Sequence, residues 1–277
     1  MITSNPFSDI ATLIPPAVMQ GYVVLMFLLV VGGTILDTVH KKSAKYFFEL
    51  AKTAKKRATR TVGTGEKVSI AVGTLANEVL TSSEFNNQKR RMSHLLTMYG
   101  FIIFVVTTAI LIFSYTGGDA QAPGIVSLLW HLGALMLAVG GYWFWFFIRV
   151  DVFAEGNKWY QLQQRDMFIV SLLAMSTFAL LWSFTGSMLM FALFIAASTF
   201  LFSTVLWSKF AHMFFKPAAA FQKKVAWADG SRENLPFIPE NRNDPETLAK
   251  FPDLKTYMGD APLSMGLGIK RETPNHH

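Results

Sequence analysis

Apolar positions in this chain run together rather than alternating with polar ones. Nothing charged lies between Asp9 and Asp37, between Arg91 and Asp119, between Asp119 and Arg149, or between Asp166 and Lys209. A helix that crosses a bilayer needs about 20 predominantly apolar residues. The first three runs suit one such helix each. The fourth suits two, with Thr185-Gly186-Ser187 as a tight turn near its middle. The pattern predicts an all-α integral membrane bundle of five helices, at about 17–38, 93–115, 124–148, 167–184 and 189–214. Pro15-Pro16 fits the first turn of span one, where a missing N–H costs nothing.

Lysine and arginine orient the bundle. The 40–92 loop carries twelve, the 149–166 loop three and the region from 208 onward ten, which accounts for all 25 in the chain. The first tail, the 116–123 loop and the 185–188 turn carry none. All basic residues thus fall on one side of a five-span topology. The positive-inside rule places that side in the cytoplasm, with the N-terminus out and the C-terminus in. Four regions follow: an outer tail and span one (1–39), a basic cytoplasmic loop (40–92), spans two to five (93–216) and a cytoplasmic tail (217–277). Short helices are expected in the loop near Ala44–Ala58 and Val68–Leu80. The tail has little apolar periodicity and reads either as disordered or as an arm that orders on a partner. No basic segment precedes span one and no small-residue cleavage pattern follows it, so it is expected to stay as a helix. Trp130, Trp143, Trp145, Trp182 and Trp207 fall near span ends, as an interfacial aromatic belt would.

Composition agrees with the pattern: 52% hydrophobic, 14% aromatic and only 16% charged, with a mean hydropathy of +0.34. Soluble domains carry about 25% charged residues. The net charge of +7 is explained by the segregated loops and needs no nucleic acid. With no cysteine, the chain itself supplies no disulfide, thiolate zinc site or iron–sulfur cluster. The interior of the spans carries no Asp, Glu, Lys or Arg, which weighs against an ion pump or proton-coupled carrier.

Histidines are the remaining candidates. His94 opens span two and His212 closes span five, so both sit at the cytoplasmic level on different helices. A bis-histidine b-type haem requires such a pair, one imidazole on each face of the iron. Arg90 and Arg91 precede His94, and Lys209, His212 and Lys216 share one helix face. These cations suit haem propionates. Equally, interfacial histidines and snorkelling lysines are ordinary at span ends. A second haem about ten residues deeper would need ligands at Phe104 or Val105 and at Phe194, and none of these ligates. His131 lies roughly 24 Å from the cytoplasmic edge. It reads as a ligand paired with Met188 or Met190, as a quinone contact, or as a histidine satisfied by a backbone carbonyl. His40, beside Lys41 and Lys42, reads as interfacial.

The segment KRRMSHLLTMYGFIIF entering span two and WSKFAHMFFKPAAAF leaving span five, with five spans and an outer N-terminus, resemble the membrane cytochrome b family of nitrate reductase gamma subunits and heterodisulfide reductase membrane subunits. The resemblance covers roughly residues 17–220. It implies one haem b on His94 and His212, and electron transfer between quinone and a cytoplasmic iron–sulfur partner. The outer ligand pair of that family is absent here. The tail segment FPDLKTYMGDAPLSMGLGIKRETPNHH resembles the C-terminus of membrane anchors that accompany dissimilatory adenylylsulfate reductase in sulfur-oxidising bacteria. This implies a cytoplasmic iron–sulfur flavoprotein as partner and the bacterial inner membrane as location. Tyr257, Met258, Met265 and Leu267 are the expected anchors on that partner, with Lys270 and Arg271 steering.

Overall fold

The computed structural model describes residues 2–40, 43–82, 87–116, 121–149, 158, 160–205, 212–231 and 249, and the described residues contain helices and no strand. A four-residue α1 (Phe7–Ile10) leads into α2 (Pro16–His40), α3 (Ser43–Arg57) and α4 (Thr64–Thr74), which runs on into a π-helical turn over Leu75–Leu80. Then come α5 (Gln88–Tyr115), α6 (Gly124–Phe147), α7 (Met167–Thr185), α8 (Met188–Ser203) and α9 (His212–Ala228). Four of these, α2, α5, α6 and α7, are long and apolar enough to cross a membrane, and α8 is a shorter apolar helix. The chain is a multi-pass membrane protein.

The expected fifth span, 189–214, differs from what forms. α8 stops at Ser203, and α9 is described from His212 onward. Side-chain hydroxyls explain the stop. Ser203 Oγ and Thr204 Oγ1 both donate to the Phe200 carbonyl, which Thr204 N also uses. Such local bonds compete with the continuing helix, and Thr204 has left helical geometry at φ −95°, ψ 21°. At 1.5 Å per residue, α8 is about 24 Å long, shorter than a hydrocarbon core of about 30 Å.

α5 and α6 share the most extensive contact, and glycine decides how close they come. A Cβ on Gly100 would stand 2.6 Å from Leu137 N, one on Gly133 would stand 2.7 Å from Phe104 N, and one on Gly140 would stand 2.8 Å from Thr97 N. The two backbones therefore touch, as small residues permit between membrane helices. Across this seam Ser93 Oγ donates to the Gly140 carbonyl at 2.8 Å and Trp130 Nε1 donates to Thr108 Oγ1 at 2.9 Å. α7 lies along α6, where Leu173 fills the notch at Gly141. It then turns tightly into α8 through Gly186, whose φ of 65° is left-handed and favours glycine. This is the turn expected at 185–187.

The end of the bundle without basic residues is plugged by the N-terminal segment. Asn5 Nδ2 donates to the Tyr115 carbonyl, and Phe7 stands edge-on to both Trp130 and Trp182. Trp130 and Trp182 are therefore core residues, 0% and 3% exposed, and Trp145 is also buried. The expected interfacial belt does not include these three, because the plug and the facing helices enclose their rings. Trp207 lies outside the described residues.

At the basic end, Arg149 and Asp166 join α6 to α7. The pair is bidentate, with each side chain only 7% exposed, and Gln163 N donates a further bond to the same carboxylate. The expected basic loop is folded here: α3, α4 and the π-helical turn pack with α9. Thr59 N and Arg60 N both donate to the Asp229 carbonyl, while Arg60 Nε donates to Ala228 O. The Arg60 guanidinium also grips Glu66, and that hydrogen bond raises the Arg60 pKa further above its ordinary value. The helices expected near 44–58 and 68–80 correspond to α3 and to α4 with its π-helical extension. Residues 217–228, expected in a tail, belong to α9.

Candidate functional site

His94 lies in the second turn of α5, exposed at the basic end. Its Nδ1 shares a 3.0 Å hydrogen bond with Ser82 Oγ. Ser82 is fully buried in the segment leading into α5, at a positive φ of 48°. Two more bonds tie this segment to α5: Arg91 Nε donates to Thr81 O, and Tyr99 OH donates to Leu80 O. The imidazole is thus oriented through Nδ1. An outer partner on the second ring nitrogen is the usual support of a metal-bound histidine. His212 lies in α9, outside α8, which ends at Ser203. Lys209 lies outside the described residues, as do Tyr257, Met258, Met265, Leu267, Lys270 and Arg271.

Deeper in the bundle, α5 and α8 face one another through aromatic rings. Phe101 meets Phe202 at 6.3 Å between centroids, and Phe104 meets Phe194 at 6.2 Å. Phe104 also packs on Trp130 at 5.1 Å, and Phe194 stacks on Trp182 at 5.9 Å. These rings occupy the depth at which a second haem would sit, so the residues present do not fit one there.

His131 is buried between α6 and α7, 5% exposed. Its Nδ1–H donates to the Ser127 carbonyl at 2.7 Å, so Nε2 accepts from Ser183 Oγ at 2.5 Å. The carbonyl fixes this tautomer, because it can only accept. The ring is edge-on to Trp130 at 4.9 Å. An iron or a quinone hydroxyl at Nε2 would have to displace Ser183.

Two features went unread in the sequence. Asp37 bounds an uncharged run in the sequence, yet α2 continues to His40 and encloses it, 4% exposed. The other is a cavity of about 460 Å³ between α2, α5 and α8. Its walls include Phe27, Val105, Ala109, Phe113 and Phe202, with Met175 of α7 at its floor. The sequence signal was slight: Val105, Thr108 and Ala109 are smaller side chains on adjacent turns of α5.

Comparison with known protein families, with characterised proteins and with solved structures gave no match to this chain.

Proposed function

We propose that this chain is a membrane anchor and electron-transfer subunit of the bacterial inner membrane, with its basic end in the cytoplasm. It links quinone to a soluble iron–sulfur flavoprotein of the adenylylsulfate reductase type. The observation that supports it best is the antiparallel facing of α5 and α8. Going toward the basic end, the Phe104–Phe194 contact gives way to Phe101–Phe202, and the same α5 face continues to His94. One b-type haem would be held there by His94 and His212, with Arg91 and Lys209 near its propionates. When bound, it supplies one-electron chemistry between a two-electron quinone and iron–sulfur clusters. Ser82 keeps the His94 ring aimed, and the aromatic layer above excludes water from that end of the bundle. On the basic face, α3 presents Lys45, Lys52, Lys55, Lys56 and Arg57 to solvent, a surface that suits an acidic partner and weakens with salt.

A second reading is a cofactor-free anchor for the same partner. It is favoured by the break at Ser203, which puts His212 on a helix packed into the basic-end unit. A reduced-minus-oxidised spectrum of the purified protein separates the two. The electron-transfer reading expects a b-type signal that His94→Ala and His212→Ala each abolish, while His40→Ala keeps it. Fully helical protein without haem iron, purified from haem-replete cells, would leave the anchor alone.

A further inference from the structure

The cavity between α2, α5 and α8 is held open by the way α2 is attached. Near the uncharged end, Gln20 Nε2 donates to the Ile112 carbonyl, and Tyr22 OH bonds Ile195 O and Thr199 Oγ1. Eleven residues further, about 16 Å along the helix, Gly33 lies so close to Val205 that a Cβ would be 2.9 Å from its side chain. Between these two attachments α2 stands off from α5. Contacts of α2 thus flank the opening on both sides. The resulting space, about 460 Å³, falls in the range of about 300–1,000 Å³ typical of ligand sites.

Its polarity narrows the ligand. Tyr22, Thr108 and Ser198 are the hydroxyl-bearing residues of the wall, and each hydroxyl proton already has an acceptor. Tyr22 donates to Ile195 O, Thr108 to Phe104 O and Ser198 to Phe194 O. A quinone ring would find no donor for its carbonyls, and a phospholipid headgroup would find no cation, since among the described residues no charged one lines the cavity. The remaining walls are aliphatic or phenylalanine. The level in the bundle is that of the hydrocarbon core, where the available ligands are chains.

We infer that this cavity is a binding site for a single apolar chain, either the acyl chain of a phospholipid or the prenyl side chain of a lipoquinone, seated between α2 and α5 with its polar head outside the cavity. This stands on the membrane helices and does not depend on haem or on a redox role.

The test uses the full chain in phosphatidylcholine vesicles that contain a phosphatidylcholine with a diazirine on one acyl chain. Photolabelling is expected to be several-fold heavier on the cavity-lining Phe27 and Val30 of α2 and Val105, Ala109 and Phe113 of α5 than on Leu132 and Leu135, which are exposed on α6. Ala109→Phe and Val105→Phe, each filling the cavity from α5, should both remove that excess while the α6 labelling stays. Two variants are used so that poor folding of one leaves the test intact. Displacement by a long-chain prenyl benzoquinone at a small mole fraction identifies the prenyl chain as the occupant. Displacement only in proportion to added unlabelled phosphatidylcholine identifies the acyl chain. Equal labelling of the cavity and α6, or displacement by the same benzoquinone without its chain, would overturn the inference.

Discussion

Gly100→Ala adds one methyl group at the tightest point of the α5–α6 seam. Its Cβ would stand 2.6 Å from Leu137 N, 2.9 Å from Gly133 O and 3.0 Å from Met136 Cβ, whereas ordinary contact begins near 3.4 Å. Two of these three atoms are backbone, so no side chain can rotate out of the way. The helices must part by about 0.8 Å, the difference between 3.4 and 2.6 Å. A gap of that size forfeits about a quarter to a half of each facing dispersion contact. It also stretches the Ser93–Gly140 and Trp130–Thr108 bonds, each worth about 0.6 kcal/mol between membrane helices. Overpacking costs about 1–3 kcal/mol, and the better helix propensity of alanine returns up to about 1 kcal/mol. A net loss of about 2 kcal/mol is expected. Gly32→Ala is the control, because nothing lies within 4 Å of its Cβ, and it should be neutral or slightly stabilising. Unfolding in mixed micelles, titrated with a denaturing detergent and followed by tryptophan fluorescence, compares the two. If Gly100→Ala proved as stable as Gly32→Ala, the backbone-contact account of this seam would be wrong.

Asp166→Ala removes the carboxylate from the Arg149 guanidinium at a site where both partners are 7% exposed, and breaking a buried pair costs about 3–5 kcal/mol. A lowered melting temperature is expected, with most of it regained when Arg149→Met and Asp166→Leu are combined. Failure of the double variant to recover would show that the pair specifies the α6–α7 connection rather than merely stabilising it. Phe7→Ala empties the plug between Trp130 and Trp182, and about 3 kcal/mol should be lost. The tryptophan emission should shift to the red, and an unshifted spectrum would place these rings elsewhere. Reporter fusions at Gly63 and at the C-terminus should behave as cytoplasmic and one at Gly118 as external. An external C-terminus would change the number of spans.

The helices and their ends were legible because lipid imposes a simple rule on sequence: long uncharged runs between charged loops. That rule located α6 and α7 to within a residue, α2 to within two and the end of α5, which starts five residues before the expected span, together with the Gly186 turn. It misplaced the end of α8, because hydroxyl bonds at Ser203 and Thr204 act locally and leave hydropathy unchanged. It also gave Trp130 and Trp182 to the membrane interface, since a tryptophan near a span end looks the same whether it faces lipid or the plug at Phe7. The oriented His94 depended on Ser82, twelve residues away across a break between helices. The candidate histidines themselves were visible as residue types at span ends.

Sequence alone determined that this chain carries several helices apolar enough to cross a bilayer, because charge is costly in hydrocarbon. Only the tertiary structure decided which faces meet. In lipid, apolar residues gain little by turning inward, so hydrophobicity does not distinguish the lipid-facing Leu132 from the buried Leu137. Shape makes that choice: the glycine notches that bring α5 onto α6, the rings that fill the α5–α8 layer, and the two attachments that hold α2 away and leave the cavity.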